Sequence, residues 1–242
     1  MEYFKNKPLP EKQNPLKNEH LRGEFSPIRV CVGNQEEHLV DYEAKLRMLI
    51  LVRDAVAVNF GEPARNLDEK GFKNNGEETY VISTIDSKPK KSSGFVNCTG
   101  CIVVGVDKET GENISFLSHQ DPTYFTDEGG IVFSEDLSES LLELKERSIE
   151  GSIDAIVIGG NILDLMHKNK TFTKYYKDST EFISTLIEKR LGFLPVISTQ
   201  AKRNPGFDSV LLDTENRRVY LFRESQLGEG DNEPYLYQKE SL

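Results

Sequence analysis

Residues 97–122, NCTGCIVVGVDKETGENISFLSHQDP, decide the fold. Cys101 opens an apolar run, DKETGE supplies Asp, Thr and Gly for a turn, NISFLSH runs back, and His119 closes it. Apolar, β-rich runs on either side of a turn-forming hexapeptide read as two antiparallel strands of one hairpin. With the turn at Asp107–Glu112, Cys101 and His119 stand at the two open ends, where facing Cβ atoms lie about 5 Å apart. A thiol becomes a strong nucleophile only as a thiolate, and imidazole titrates in the range needed to take its proton. Gly100 permits a tight bend just before the cysteine, and the amides around Gly100 and Cys101 suit the holding of an oxyanion.

The same pair also reads as two core residues, because free cysteine is among the most buried types and His119 can cap a loop. Cys98-Thr99-Gly100-Cys101 is in addition a CxxC. Redox pairs of that kind sit at a helix N-terminus, whereas an apolar β-run follows here. A zinc site would draw on Cys31, His38 or His119, but the chain has no second CxxC and no HxxxH, so neither metal nor cofactor is expected.

Outward from this hairpin, TYVISTI (79–85) and GFVNC (94–98) read as strands, with SKPKKSSG as an exposed loop between them. SEDLSESLLELKERSIEG reads as a helix capped by Ser134 and stopped by Gly151. IDAIVIGG is a buried strand, and KDSTEFISTLIEKRLG is a helix capped at Asp178 or Ser179 and ended by Gly192. FLPVIST is a strand whose Pro195 marks an edge or a strand start, and SVLLDTENRRVYLF is a second hairpin. Upstream, IRVCV (28–32) reads as a short strand and residues 35–60 as a long helix. His20, His38 and His167 read as solvated. The domain reading is an N-terminal extension over 1–75, a loose arm plus a helix, then a core over 76–225 and a polar tail over 226–242. The fold class is α+β: a layered α/β/β-type sandwich of mixed sheets with flanking helices.

Composition narrows the function. With 37% hydrophobic and 29% charged residues the chain is too apolar for wholesale disorder. A formal charge of −10 opposes non-specific binding to nucleic acid and to anionic lipid. The longest purely apolar run, Met48–Val52, is far short of a membrane span. Three cysteines are too few for a disulfide framework, and no apolar leader is visible, so a reducing cytoplasm is the expectation. A leaderless secreted effector has the same appearance.

The order of these motifs resembles the CheD-like glutamine deamidases, a group that includes bacterial chemoreceptor deamidases and, more distantly, cytotoxic necrotizing factor toxins. The likeness runs from about Thr79 to Arg223. TGCIVVGVDKETGENISFLSH is similar to the family's bend–Cys–strand–turn–strand–His signature, AIVIGGN to its strand ending in Gly159-Gly160, and SVLLDTENRRVYL to its closing hairpin. The resemblance implies a Cys101 nucleophile with His119 as its base. It also implies a third residue that supports the histidine from a few positions before the cysteine, for which Thr99 or Asn97 stands. Gly100, Asn97, Ser118 and Gln120 would line the substrate or oxyanion region. The implied reaction converts a glutamine on a protein partner to glutamate through a thioester, releasing ammonia without cofactor. A non-catalytic protein-binding module of the same fold and a Cys-dependent transamidase remain as alternatives.

Overall fold

The computed structural model describes residues 25, 27–33, 51–59, 72–73, 79–95, 98–123, 129–159, 170–199 and 206–225. The strands are β1 (Arg29–Gly33), β2 (Val56–Ala57), β3 (Tyr80–Ile82), β4 (Lys90–Phe95), β5 (Thr99–Val106), β6 (Asn113–Gln120), β7 (Asp154–Gly159), β8 (Val196–Thr199), β9 (Gly206–Asp213) and β10 (Arg218–Ser225). Helix α1 (Gly129–Arg147) lies between β6 and β7, and α2 (Lys170–Leu191) between β7 and β8. The strands form two mixed five-stranded sheets, β1-β10-β9-β4-β2 and β3-β6-β5-β7-β8. No helix among the described residues is long and apolar enough to cross a membrane.

The alternation of side chains across β5, β6 and β7 builds two cores at once. Ile102, Val104, Leu117, Ile156 and Ile158 point between the sheets and meet Phe95, Val210, Leu212 and Val219. Cys101, Val103, Phe116, Ala155 and Val157 point the other way and pack under Phe133, Leu137, Leu141 and Leu144 of α1 and Ile183 and Ile187 of α2. Each of these fully buried aliphatic or aromatic side chains contributes about 1.5–3 kcal/mol of transfer free energy. Because both faces of the second sheet are covered, its strands are continuous apolar runs rather than alternating ones. Leu51 and Ala55 form a third, smaller cluster with Leu211 and Tyr220 on the outer face of the first sheet.

Several elements differ from the sequence reading. The boundary at residue 75 runs through the first sheet. β1 pairs in parallel with β10 and β2 in parallel with β4, and Val58 and Phe72 belong to the inter-sheet core, so these residues ahead of position 75 are part of the sandwich. The lysine-rich loop is largely strand. Lys90 is fully buried because its ammonium is surrounded by oxygens: Asp86 Oδ1 at 2.9 Å, Lys88 O at 3.0 Å, Ser115 Oγ at 3.1 Å and Asp86 O at 3.3 Å. Helix α1 starts at Gly129, so Ser134 is interior rather than a cap, and α2 starts at Lys170, where the expected caps Asp178 and Ser179 are interior too. Asp178 pairs with Lys174, and Ser184 Oγ donates to the Thr180 carbonyl at 2.7 Å. Gly192, at φ +89°, ends α2 as expected, and β8, which follows Pro195, is an edge strand. The tail over 226–242 and His20, His38 and His167 lie outside the described residues.

Candidate functional site

The hairpin forms where the sequence places it, and its register answers the question of the cysteine and the histidine. The Asp107 amide donates to the Glu112 carbonyl at 2.8 Å, Asp107 Oδ1 accepts from the amide of Glu109 at 2.9 Å, and Gly111 takes φ +74°. Strand pairing then runs from Val106↔Asn113 through Ile102↔Leu117 to Thr99↔Gln120 without a slip. In that register Cys101 stands across from Ser118, and His119 stands across from Gly100. Residues directly opposite share a face, and neighbours along a strand do not. Cys101 and His119 therefore point to opposite faces of the sheet.

Cys101 is sealed under the helices. It is fully buried, its Sγ lies 3.3 Å from Ser118 Oγ, and burial pushes the thiol up to about 12, a shift only partly offset by the Ser118 hydroxyl. The Cys101 amide, expected to help hold an oxyanion, instead donates to Ser118 Oγ at 2.9 Å. Thr99 faces the same layer: its hydroxyl bonds the Ser179 hydroxyl of α2, and Gln120 Nε2 donates to Thr99 Oγ1 at 3.2 Å. Thr99, Cys101, Ser118 and Gln120 thus form a buried set on the helix side, away from His119. Asn97 lies outside the described residues.

His119 occupies the inter-sheet layer. Its ring stacks on Phe95 at 3.8 Å and 12°, and Nδ1 lies 2.9 Å from Ser92 Oγ. Burial pushes the imidazole down to about 3, against the opposing pull of the Val58 carbonyl, so it is neutral across the physiological range. Of the expected site residues, Gly100 alone shares this face. A Cβ there would lie 2.1 Å from the Ser118 carbonyl oxygen and 3.2 Å from the Phe95 ring, so the glycine is what lets Phe95 lie close over the strand.

The side chains around His119 are ones the sequence reading did not select for it. Cys98 is partly buried and packs against the inter-sheet core, the layer that holds His119. It lies immediately ahead of β5, two residues before Gly100. Ser92 and Phe95 reach the same layer from β4. The register of β4 against β9 slips between Ser92 and Phe95, where Gly94 takes φ +81°, so that both Ser92 and Phe95 turn inward. Ser92 Oγ donates to the Val58 carbonyl and lies 3.1 Å from Asn59 Oδ1, which also accepts the Ser93 amide at 2.9 Å. Strand parity is the signal that points to Cys98. Nothing in the sequence pairs Ser92 with His119, because they come from different sheets.

The arrangement is a partly exposed thiol in the same layer as a neutral imidazole, which a hydroxyl holds from behind. The CxxC cysteines pack in different layers, Cys98 against the inter-sheet core and Cys101 under the helices, and so do not form a dithiol pair here. Among the described residues no cluster of three or more His, Cys, Asp or Glu side chains is placed to hold a metal ion. Comparison with protein-family models and with curated proteins finds no match to this chain.

Proposed function

We propose that the chain is a cysteine-dependent amidohydrolase of the CheD-like kind, acting on an exposed glutamine of a protein partner, with Cys98 in place of Cys101 as its nucleophile. The observation that carries this reading is the shared layer: Cys98 and His119 lie on one side of the sheet, with Ser92 on the Nδ1 of the imidazole. The two-sheet α+β sandwich, the strand–turn–strand ribbon that ends on His119 and the closing β9–β10 hairpin support this reading. Ser92, nine positions before Cys101 and not one of the residues that the resemblance implies, is the hydroxyl that reaches the His119 ring.

In this reaction the Cys98 proton passes to His119 Nε2, and the thiolate attacks the carboxamide carbon of glutamine. The tetrahedral intermediate collapses with loss of ammonia, which takes the proton from the imidazolium, and a thioester remains. Water, losing a proton to His119, attacks that thioester. Glutamate leaves, and the proton returns to the cysteine. The low basicity of His119 is a property of its dry, uncharged surroundings. A thiolate formed beside it favours the imidazolium, because opposite charges at close range raise a base that burial has lowered.

Two measurements test the assignment. Iodoacetamide near neutral pH, followed by peptide mapping, should label Cys98 in the folded protein and Cys101 only after unfolding. Cys98→Ala should abolish both ammonia release and the roughly one-dalton mass gain on a glutamine-bearing partner, while a folded Cys101→Ala keeps them. Retention of activity in Cys98→Ala sinks the assignment. The burial of His119, only 3% exposed, favours a second reading as a non-catalytic protein-binding module. In that case wild type releases no ammonia, and Cys98 alkylates no faster than a free thiol. Incorporation of an amine tag in place of water would identify a transamidase.

A further inference from the structure

We propose that Val58 and Asn59, in the N-terminal segment, are positioning residues that hold His119 as its Nδ1–H tautomer through the Ser92 hydroxyl. This goes beyond the reading above, because the tautomer rests on hydrogen-bond chemistry whether or not Cys98 reacts. A serine hydroxyl has one proton to donate and two lone pairs that accept. Ser92 Oγ has three polar neighbours: the Val58 carbonyl, Asn59 Oδ1 at 3.1 Å and His119 Nδ1 at 2.9 Å. The carbonyl only accepts. The Asn59 atom also only accepts, since the Ser93 amide donates to it at 2.9 Å and so fixes which end of the carboxamide faces β4. Ser92 therefore directs its single proton at the strap, and toward His119 it offers a lone pair. The hydrogen bond at Nδ1 requires a proton on Nδ1, which leaves Nε2 with the lone pair of the neutral ring.

The strap is an edge element. β2 contributes two residues at the margin of the first sheet, held by Val56 N to Pro89 O at 2.9 Å and Val58 N to Lys91 O at 2.8 Å. Short edge pairings open more readily than central strands. When the strap moves away, the Ser92 proton is released to donate to Nδ1, and the ring changes to the Nε2–H form, which has no lone pair for a thiol proton. The N-terminal segment thereby sets whether His119 can act as a base.

The test is nitrogen-15 NMR of the His119 ring in the full chain at neutral pH. The expected wild-type spectrum has a pyrrole-like, protonated Nδ1 and a pyridine-like Nε2. Asn59→Ala should shift the two resonances toward one another, reporting a second tautomer, while Asn59→Asp, which keeps an acceptor at the same place, should retain the wild-type pattern. A wild-type ring protonated at Nε2 overturns the proposal even if no variant folds. An Asn59→Ala spectrum identical to wild type, with a native amide fingerprint, overturns it as well. Failure to detect deamidation leaves these shifts unchanged, so the two readings fail separately.

Discussion

His119 carries a charge-dependent term in stability that can be read without any substrate. Its folded value, about 3, lies below the usual 6.5, so between those limits the unfolded chain binds a proton that the folded chain refuses. Stability is therefore full above the unfolded value and is lost as pH falls toward the folded one, with a slope of at most about 1.4 kcal/mol per pH unit. The urea midpoint should drop between pH 7 and pH 4, and His119→Gln should flatten that decline. A slope that His119→Gln leaves unchanged would show that other groups carry it. Part of the site was legible at this scale. The turn over 107–112 is where the sequence puts it, and counting inward from Asp107 and Glu112 already places Cys101 across from Ser118. Judging contact by nearness to the open ends overlooked that adjacent strand residues alternate faces. The pairing of Ser92 with His119 was not legible, because β4 and β6 lie in different sheets and meet only through side chains across the layer between them.

At the scale of elements, β5 is the strand on which the site depends, and Gly100 is its most constrained position. A methyl group there meets the Ser118 carbonyl and the Phe95 ring, a backbone atom and a packed aromatic with little room to give. Gly100→Ala should cost about 1–3 kcal/mol and displace the Phe95–His119 stack. An unchanged melting temperature with an unchanged aromatic circular dichroism signal would contradict the packing described here. Element identity followed from local pattern for β5, β6, β7, the body of α2 and the β9–β10 hairpin. Element limits did not. Helix α2 extends back over KTFTKYY, a run with two threonines and three aromatics, because Tyr176 is buried and its ring lies over Gly159. β4 includes Lys90 because folding supplies four oxygens to its ammonium, and no local propensity encodes that.

Across the whole molecule, Asp154 connects elements distant in sequence. Its Oδ2 accepts from the Ile28 amide ahead of β1 at 3.1 Å and from Arg217 Nη2, in the β9–β10 turn, at 3.0 Å. Arg217, at φ +52°, also donates to the Ser152 carbonyl at 2.7 Å. This buried pair ties the first sheet to the second, and removing one partner strands the other charge. Arg217→Met should lower unfolding stability by about 3–5 kcal/mol in denaturant titration, and a loss below about 1 kcal/mol would mean the pair is not the tie it resembles. Sequence by itself determined the α+β class, the central hairpin and its turn, and the resemblance that directs attention to a thiol and an imidazole. Those depend on local periodicity and turn chemistry, which each segment carries alone. Only the tertiary structure decided that residues 56–59 complete the site, that Cys101 is sealed under α1 and α2, and that Cys98 is the cysteine on the histidine's side. Which face of a sheet is covered, and by what, is a property of packing between segments, and no single segment contains it.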